Sequence, residues 1–251
     1  MRSYDELIDE AATVDVSGWD FSWLDGRATE ERPGWGYAGL LATALSRADG
    51  ALDLQTGGGE VLDSAPLLPA HMVATEGWPP NVELARKRLG SKGVEVVAAE
   101  VDERLPCADA SVDLVTARHP VRTPWREIAR VLRPEGRYLA QHVGPESALE
   151  LIEWFTGPLS AKVRDARHPR HDRAAATAAG LVVDELRTAR CRMEFRDVGA
   201  VVYTLRKCVW WVPDFSVERY DERLRALDAR LRHGGPFVAH STRLLVRAHK
   251  P

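Results

Sequence analysis

The segment Ala51-Leu52-Asp53-Leu54-Gln55-Thr56-Gly57-Gly58-Gly59-Glu60 constrains this chain more than any other, because it joins an apolar strand ending in an acid to a glycine turn that opens a helix. Glycine at 57, 58 and 59 leaves bare backbone that a ligand can approach closely, and it supplies the positive φ that a tight strand-to-helix turn needs. A glycine triplet alone says little. Two more strands follow, however: His71-Met72-Val73-Ala74-Thr75-Glu76 ends in an acid 23 residues after Asp53, and Val94 to Ala99 runs into Glu100. Three successive strand ends carrying carboxylates predict one ligand touched from three loops.

The spacing narrows the ligand. A dinucleotide fingerprint G-x-G-x-x-G begun at Gly57 and Gly59 needs a third glycine at 62, where the chain has Leu62. No G-x-x-x-x-G-K-[ST] occurs, so the lysine-bearing phosphate loop is absent from the sequence. What remains is an acid, three residues, two glycines spaced by one, and a strand-end acid suited to ribose hydroxyls.

That pattern resembles the class I S-adenosylmethionine-dependent methyltransferases, small-molecule and type 11-like, whose usual first motif is D-x-G-x-G-x-G. The resemblance covers roughly residues 35 to 145. Leu105-Pro106-Cys107-Ala108-Asp109-Ala110-Ser111-Val112-Asp113-Leu114-Val115 is similar to the family's L-P-F-x-D-x-S-F-D-x-V stretch, and Glu127-Ile128-Ala129-Arg130-Val131-Leu132-Arg133-Pro134-Glu135-Gly136 to its E-x-x-R-V-L-K-P-G-G turn. Gln55 stands where the family has its first glycine, so its side chain points away from the methionine part of the ligand or contacts it. Glu100 takes a place more often held by Asp.

The resemblance implies S-adenosylmethionine as cofactor and a Rossmann-like α/β fold: a doubly wound seven-stranded sheet, mostly parallel with the last strand antiparallel, plus a helical cap. Carried over by position, the cofactor set is Asp53, Gln55, Thr56, Gly57, Gly58, Gly59, Glu76, Gly77, Trp78, Glu100, Val101 and Arg118. Asp53 would face the methionine end, Glu76 the ribose hydroxyls, Trp78 the adenine, and Glu100 with Val101 the adenine edge. His119, in Ala117-Arg118-His119-Pro120 at the end of the fourth core strand, is the first choice for a base, since histidine titrates near neutrality. His142, at the fifth strand end, is the second. A histidine bonded to a loop carbonyl is the competing structural reading for His119.

Strand and helix alternate from 51 to 145, which predicts a parallel sheet with its ligand at the carboxyl ends of the strands. One domain over 1–251 is expected, with a helical and aromatic cap segment at 1–36 and a cofactor-binding core at 37–145. The C-terminal half, 146–251, would carry a helical cap insertion at 197–236 and a closing strand at 240–249. Helices are predicted over residues 3 to 13, with Leu7, Ile8, Ala11 and Ala12 in step, and over Tyr37 to Arg47, Pro80 to Leu89, Ala148 to Phe155, Arg173 to Ala179, Val198 to Cys208 and Val217 to Arg232. The aromatic connector Trp19 to Arg27 needs a surface to cover. Tyr203 and Trp210 read as core rather than substrate contacts. His168-Pro169-Arg170-His171-Asp172 gathers possible metal ligands, but its spacing reads as a solvated loop, and no metal is expected.

Charge and composition exclude several classes. With 34 basic against 37 acidic residues the formal charge is −3, so the chain has no global attraction for polyanions and a nucleic-acid partner is not expected. Twenty-nine of the 34 basic residues are Arg and 5 are Lys, a skew that fits the codon bias of a GC-rich bacterial genome. Three scattered cysteines make neither a disulfide framework nor a zinc site. Without a signal-like start or a long apolar run, a cytoplasmic protein with no membrane partner is expected. The expected partner is a small-molecule methyl acceptor, methylated at O or N. Two alternatives stay open, a non-catalytic or regulatory S-adenosylmethionine-binding protein and an RNA methyltransferase; oligomeric state is not legible.

Overall fold

The computed structural model describes residues 2–18, 20–100 and 103–251; Trp19 and Val101, both singled out above, lie outside the described residues. In chain order the elements are α1 (Tyr4–Thr13), a 3-10 turn (Ser22–Leu24), β1 (Ala28–Glu30), α2 (Tyr37–Leu45), β2 (Gly50–Leu54), α3 (Glu60–Asp63), β3 (His71–Glu76), α4 (Pro79–Leu89), a second 3-10 turn (Gly90–Lys92) and β4 (Val94–Ala98). They continue with β5 (Val112–Arg118), α5 (Trp125–Val131), β6 (Leu132–Val143), α6 (Leu149–Thr156), α7 (Ala161–Asp165), α8 (Pro169–Ala178), β7 (Val182–Phe195), α9 (Val198–Lys207), α10 (Asp221–Gly234) and β8 (Phe237–His249).

The strands hydrogen-bond in the order β1-β7-β8-β6-β5-β2-β3-β4. β2, β3, β4, β5 and β6 pair in parallel, and β8 closes antiparallel against β6, as the sequence predicts. The sheet has eight strands rather than seven. The addition is β1, three residues of the N-terminal connector paired antiparallel with β7 through Ala28 and Phe195. A strand of three residues carries too little alternation to be read from sequence.

The chain divides into two compact units. One comprises 1–32, 146–166 and 190–242; the other comprises 33–145, 167–189 and 243–251. The N-terminal segment up to residue 32 and the 197–236 insertion fall in the same unit. Its core joins Leu7, Ile8 and Ala11 of α1 to Val198, Val201, Val202 and Leu205 of α9 and to Leu224, Leu227 and Leu231 of α10. α1 starts with a capping box in which the Ser3 side chain accepts from the Glu6 amide and the Glu6 carboxylate accepts from the Ser3 amide. Ala12, expected on the buried face, is exposed. Of the connector's aromatics, Trp23 is half-buried and stacks on Tyr203 at 4.8 Å, and the Tyr203 hydroxyl donates to the Asp20 carbonyl, whereas Phe21 is exposed. Tyr203 is buried as expected, whereas Trp210 is 51% exposed and is no part of the core.

Helix limits differ from expectation in two places. α10 begins at Asp221 rather than Val217, because residues 217–220 form turns that bring Tyr220 onto Phe215, stacked at 5.8 Å, and edge-on to Phe155. His168 to Asp172 is not a solvated loop. His168 caps α8 by accepting the Arg170 amide on Nδ1, Pro169 takes the first helical position, and Asp172 reaches a buried histidine. Gly180, at φ +87°, ends that helix as expected.

In the second unit, every residue of β2 is buried, the signature of a central parallel strand. The two segments that carry the resemblance are physically knit to one another. Glu127 accepts the Leu105 amide at 2.9 Å, while the Arg130 guanidinium donates to the carbonyls of Leu105 and Cys107 and to the carboxylates of Asp109 and Glu127. Asp113 accepts the amides of Asp49 and Gly50 at the start of β2 and an ion pair from Arg133. One arginine thus fixes the crossover into β5. Among the described residues no helix is long and apolar enough to cross a membrane.

Arg130→Ala removes a planar fork from two backbone carbonyls and two carboxylates, and should lower the unfolding free energy by about 2 kcal/mol with an unchanged urea m-value. Arg130→Lys should recover only part of the loss, since an ammonium cannot match the fork. A urea midpoint unmoved in Arg130→Ala would show that the clasp is incidental.

Candidate functional site

The acids and glycines singled out in the sequence come together at the carboxyl ends of β2, β3 and β4 in the second unit. Glu76, the last residue of β3, organises them: its Oε2 accepts the Gly57 amide at 2.8 Å and its Oε1 accepts the Trp78 amide at 2.9 Å. One carboxylate therefore fixes the glycine turn and the start of α4 together, and each oxygen keeps a further lone pair. Gly57 sits at φ +65° and Gly59 at φ +83°, and a Cβ on Gly59 would lie 2.8 Å from Leu89. The Gly58 carbonyl is held by Arg88, which also pairs with Glu60 at 2.5 Å. Trp78 leaves its ring 51% exposed beside Glu76. Gly77 leaves room for Glu100, whose Oε2 would be 3.1 Å from any Cβ added there.

Asp53 sits one residue before the end of β2 and is only 6% exposed. Burial raises its carboxyl to about 6, offset in part by the Thr116 hydroxyl, which donates to Oδ1 at 2.5 Å from the neighbouring strand β5. The Thr56 hydroxyl lies near enough to help ionise Asp53, yet it is buried without a hydrogen bond of good geometry.

Gln55 holds φ +53°, the left-handed conformation that a glycine takes more cheaply. Its side chain turns toward the loop after β5, donating Nε2 to the Arg122 carbonyl at 2.7 Å and accepting the Val121 amide on Oε1 at 2.6 Å. Both ends of the amide are used within the protein, so the side chain acts as a strut to that loop.

The two histidines are arranged differently from a base and its alternate. His119 is the second strained non-glycine residue at a core strand end, at φ +56°, with its amide donating to the Gln141 carbonyl at 2.7 Å. The Trp35 indole N–H can only donate, and it donates to Gln141 Oε1 at 2.9 Å, so the other end of that amide is an NH2 group. This NH2 faces His119 Nε2 at 3.0 Å and donates to it. The one lone pair of neutral His119 is thereby occupied. Burial, with the charges of Arg243 and Arg118 nearest in effect, pushes His119 down to about 2, and the expectation of a general base there does not fit. His142 is 6% exposed, with Nε2 on the Tyr138 hydroxyl at 3.0 Å and Nδ1 on Asp172 at 3.2 Å. Both of its nitrogens are committed to a buried chain beneath Trp125, which removes it as a second base.

Sequence reasoning missed Trp35, Thr116, Gln141 and Asp172. Trp35 and Gln141 are 106 residues apart, and no local pattern connects them. Among the described residues no group of three or more His, Cys, Asp or Glu is placed to hold a metal ion.

Two expected outcomes follow from these contacts. Because the folded-state pKa of Asp53 lies above the usual 3.8, the folded chain keeps this proton longer than the unfolded chain does. Stability from this group is full below about pH 4 and is lost as pH rises through about 6, amounting to about 3 kcal/mol. Asp53→Asn should remove that component, read as the difference between the two stability–pH curves; superimposable curves would sink it. Gln55→Ala should speed hydrogen exchange at the Val121 amide by at least about tenfold while leaving β2 amides protected.

Residues 52–140 match the family described as Methyltransferase domain. The chain is 31% identical over 141 residues to the uncharacterized methyltransferase YcgJ of Bacillus subtilis, a match that spans 52% of this chain and about half, 54%, of that relative. The crystal structure of YcgJ superposes with a TM-score of 0.57 at 19% identity, covering 85% of this chain and 97% of YcgJ. A candidate methyltransferase from Bacillus halodurans C-125 gives 0.60 at 19% identity, over 87% of this chain and all of that one. A geranyl diphosphate methyltransferase solved with S-adenosylmethionine gives 0.51 at 14% identity, over 85% of this chain and 84% of that one; these likenesses concern the fold. The glycine turn and Glu76 lie within the segment 52–140 that matches the methyltransferase domain family, and the fold around them is the one these methyltransferase structures share.

Proposed function

We propose that this protein binds S-adenosylmethionine and transfers its methyl group to an oxygen or nitrogen of a small molecule. The observation that carries the reading is the Glu76 carboxylate, which pins Gly57 and Trp78 and still has lone pairs to offer hydroxyl groups. The donor set suits a cationic nucleoside. Asp53, Glu76 and Glu100 line the ends of three adjacent strands, an arrangement that attracts a sulfonium and repels a pyrophosphate. The Thr56 hydroxyl, buried without a well-formed hydrogen bond, offers a further polar contact in the same turn.

In this reading the glycine turn lies along the ligand, Glu76 receives ribose hydroxyls, the exposed Trp78 ring packs on the adenine, and Glu100 stands at the adenine edge. Bound S-adenosylmethionine supplies an activated methyl on a sulfonium. The chain's own work is to hold the acceptor in line and to exclude water. Gln55, by fixing Val121 and Arg122, sets the loop that borders the crevice on the β5 side. Asp53, ionised above about pH 6, provides negative charge in a place of low dielectric.

Isothermal titration tests the reading. S-adenosylmethionine and S-adenosylhomocysteine should bind and NADH should not, and Glu76→Ala should weaken both sulfur ligands by at least about tenfold. Affinity for the cationic S-adenosylmethionine should fall as pH drops below about 6, since Asp53 must then lose a proton to meet the charge; neutral-sulfur S-adenosylhomocysteine should show a smaller slope. NADH binding with neither sulfur ligand bound would overturn the cofactor reading.

A further inference from the structure

Charge is divided along the strand ends of the second unit. The acids lie at β2, β3 and β4; on the other side, Arg118 ends β5, and Arg243 of β8 lies opposite Val143 at the end of β6. In the sheet register Arg118, the last residue of β5, is opposite Gln141 of β6, and Gln141 is opposite Leu245 of β8. Arg243 is opposite Val143, two residues further along the same face. Paired residues in neighbouring strands project to the same side, so Arg118, Gln141 and Arg243 share one face at the carboxyl end of the sheet. Asp172, the carboxylate that binds His142, belongs to the opposite face, because His142 alternates with Gln141. Arg118, Arg243 and Arg167 all bear electrostatically on His119, the residue that follows β5.

His119 adds a directed donor. The chain from Trp35 through Gln141 places a donor against Nε2 and so puts the ring proton on Nδ1. Nδ1 has no hydrogen-bond partner among the described residues, and it is not one of the buried orphaned atoms, so this N–H is open to a ligand. A neutral N–H donor in the field of guanidinium groups is matched to an oxyanion.

Resting on the methyl-transfer reading for the class of reaction, we propose that the acceptor carries an oxyanion, a carboxylate or a phosphate, seated against His119 Nδ1–H with Arg118 and Arg243, and that His119 acts as a hydrogen-bond donor there. Trp35 and Gln141 are positioning residues that set its tautomer. The sulfonium and the oxyanion thus have separate halves of one crevice, acid-lined and arginine-lined.

The test is heteronuclear NMR of the histidine rings in the full chain, with and without saturating S-adenosylhomocysteine, titrated with acetate in one arm and inorganic phosphate in the other. The expected result is a protonated Nδ1 and a bare Nε2 at His119 before any addition, and saturable movement of the Nδ1–H signal by at least one of the two anions; which of them binds more tightly assigns the group as carboxylate or phosphate. Arg243→Gln and, separately, the exposed Arg118→Gln should each weaken that binding by about tenfold while the tautomer stays as it is. Gln141→Glu, which offers only acceptors, should move the proton to Nε2 and abolish the response. A charged or Nε2-protonated His119 in the wild type, or no movement of its signal with either anion, overturns the proposal. Anion binding is read also without S-adenosylhomocysteine, so failure of the sulfur ligand to bind counts against the methyl-transfer reading alone.

Discussion

The two hydrogen bonds that Glu76 accepts from Gly57 and Trp78 are the contacts on which the crevice depends. They tie the turn after β2 to the turn after β3, so the loops of two adjacent strands cannot move independently. A carboxylate accepting backbone amides forms charge-assisted bonds, stronger than neutral ones. The bare backbone of Gly57 and Gly59 then follows: the chain passes close under Glu76 and over Leu89, and side chains at those positions would demand φ values they rarely adopt. The clasp precedes α3, a single turn of four residues. Its entry is fixed by Gly59 and its first residue, Glu60, is engaged by Arg88 of α4.

The same strand ends carry backbone strain at two non-glycine residues. Gln55 and His119 both hold left-handed backbone at the ends of β2 and β5, neighbours in the sheet, at about 1 kcal/mol or more each. Each is held there by hydrogen bonds into another segment: Gln55 to Val121 and Arg122, His119 to both the carbonyl and the side chain of Gln141. Strain of that kind survives only where the surroundings overdetermine it. A glycine at 55 would relax the backbone and release the loop, so the glutamine exchanges local comfort for a fixed border to the site.

Much of this was legible in the sequence, and the parts that were share a physical character. The limits of β3 at His71 and Glu76, the proline start of α4, the stop at Gly180 and the antiparallel β8 are all encoded by short-range pattern: alternation, a ring that presets φ, a residue without a Cβ. The resemblance-bearing segments 105–115 and 127–136 were legible as motifs, although their reason, the Arg130 clasp and the Asp113 contacts, is visible only in three dimensions. What escaped depends on pairing at a distance. β1 exists because β7 offers it an edge, α10 starts late because Tyr220 packs on Phe215, and Asp172 looked solvated because nothing local announces His142. His119 is the sharpest case: its position at the strand end was readable, while its protonation and tautomer are set by Trp35 and Gln141, far along the chain.

Those distant partners bear on what kind of transfer the crevice suits. A hydroxyl or ammonium acceptor must lose a proton, and neither histidine offers a lone pair for it: one is capped by an amide, the other is committed at both nitrogens. Asp53, whose carboxyl is raised by burial to about 6, lies on the acid-lined side and interacts most directly with Thr116. An acceptor whose reacting atom is already unprotonated at neutral pH needs no base from the chain. For such an acceptor the demands of the proposed transfer reduce to alignment and charge, and strand ends with carboxylates on one side and arginines on the other would serve both, because opposite charges on the proposed cofactor and acceptor would fix their relative orientation before any contact with the reacting atoms is made.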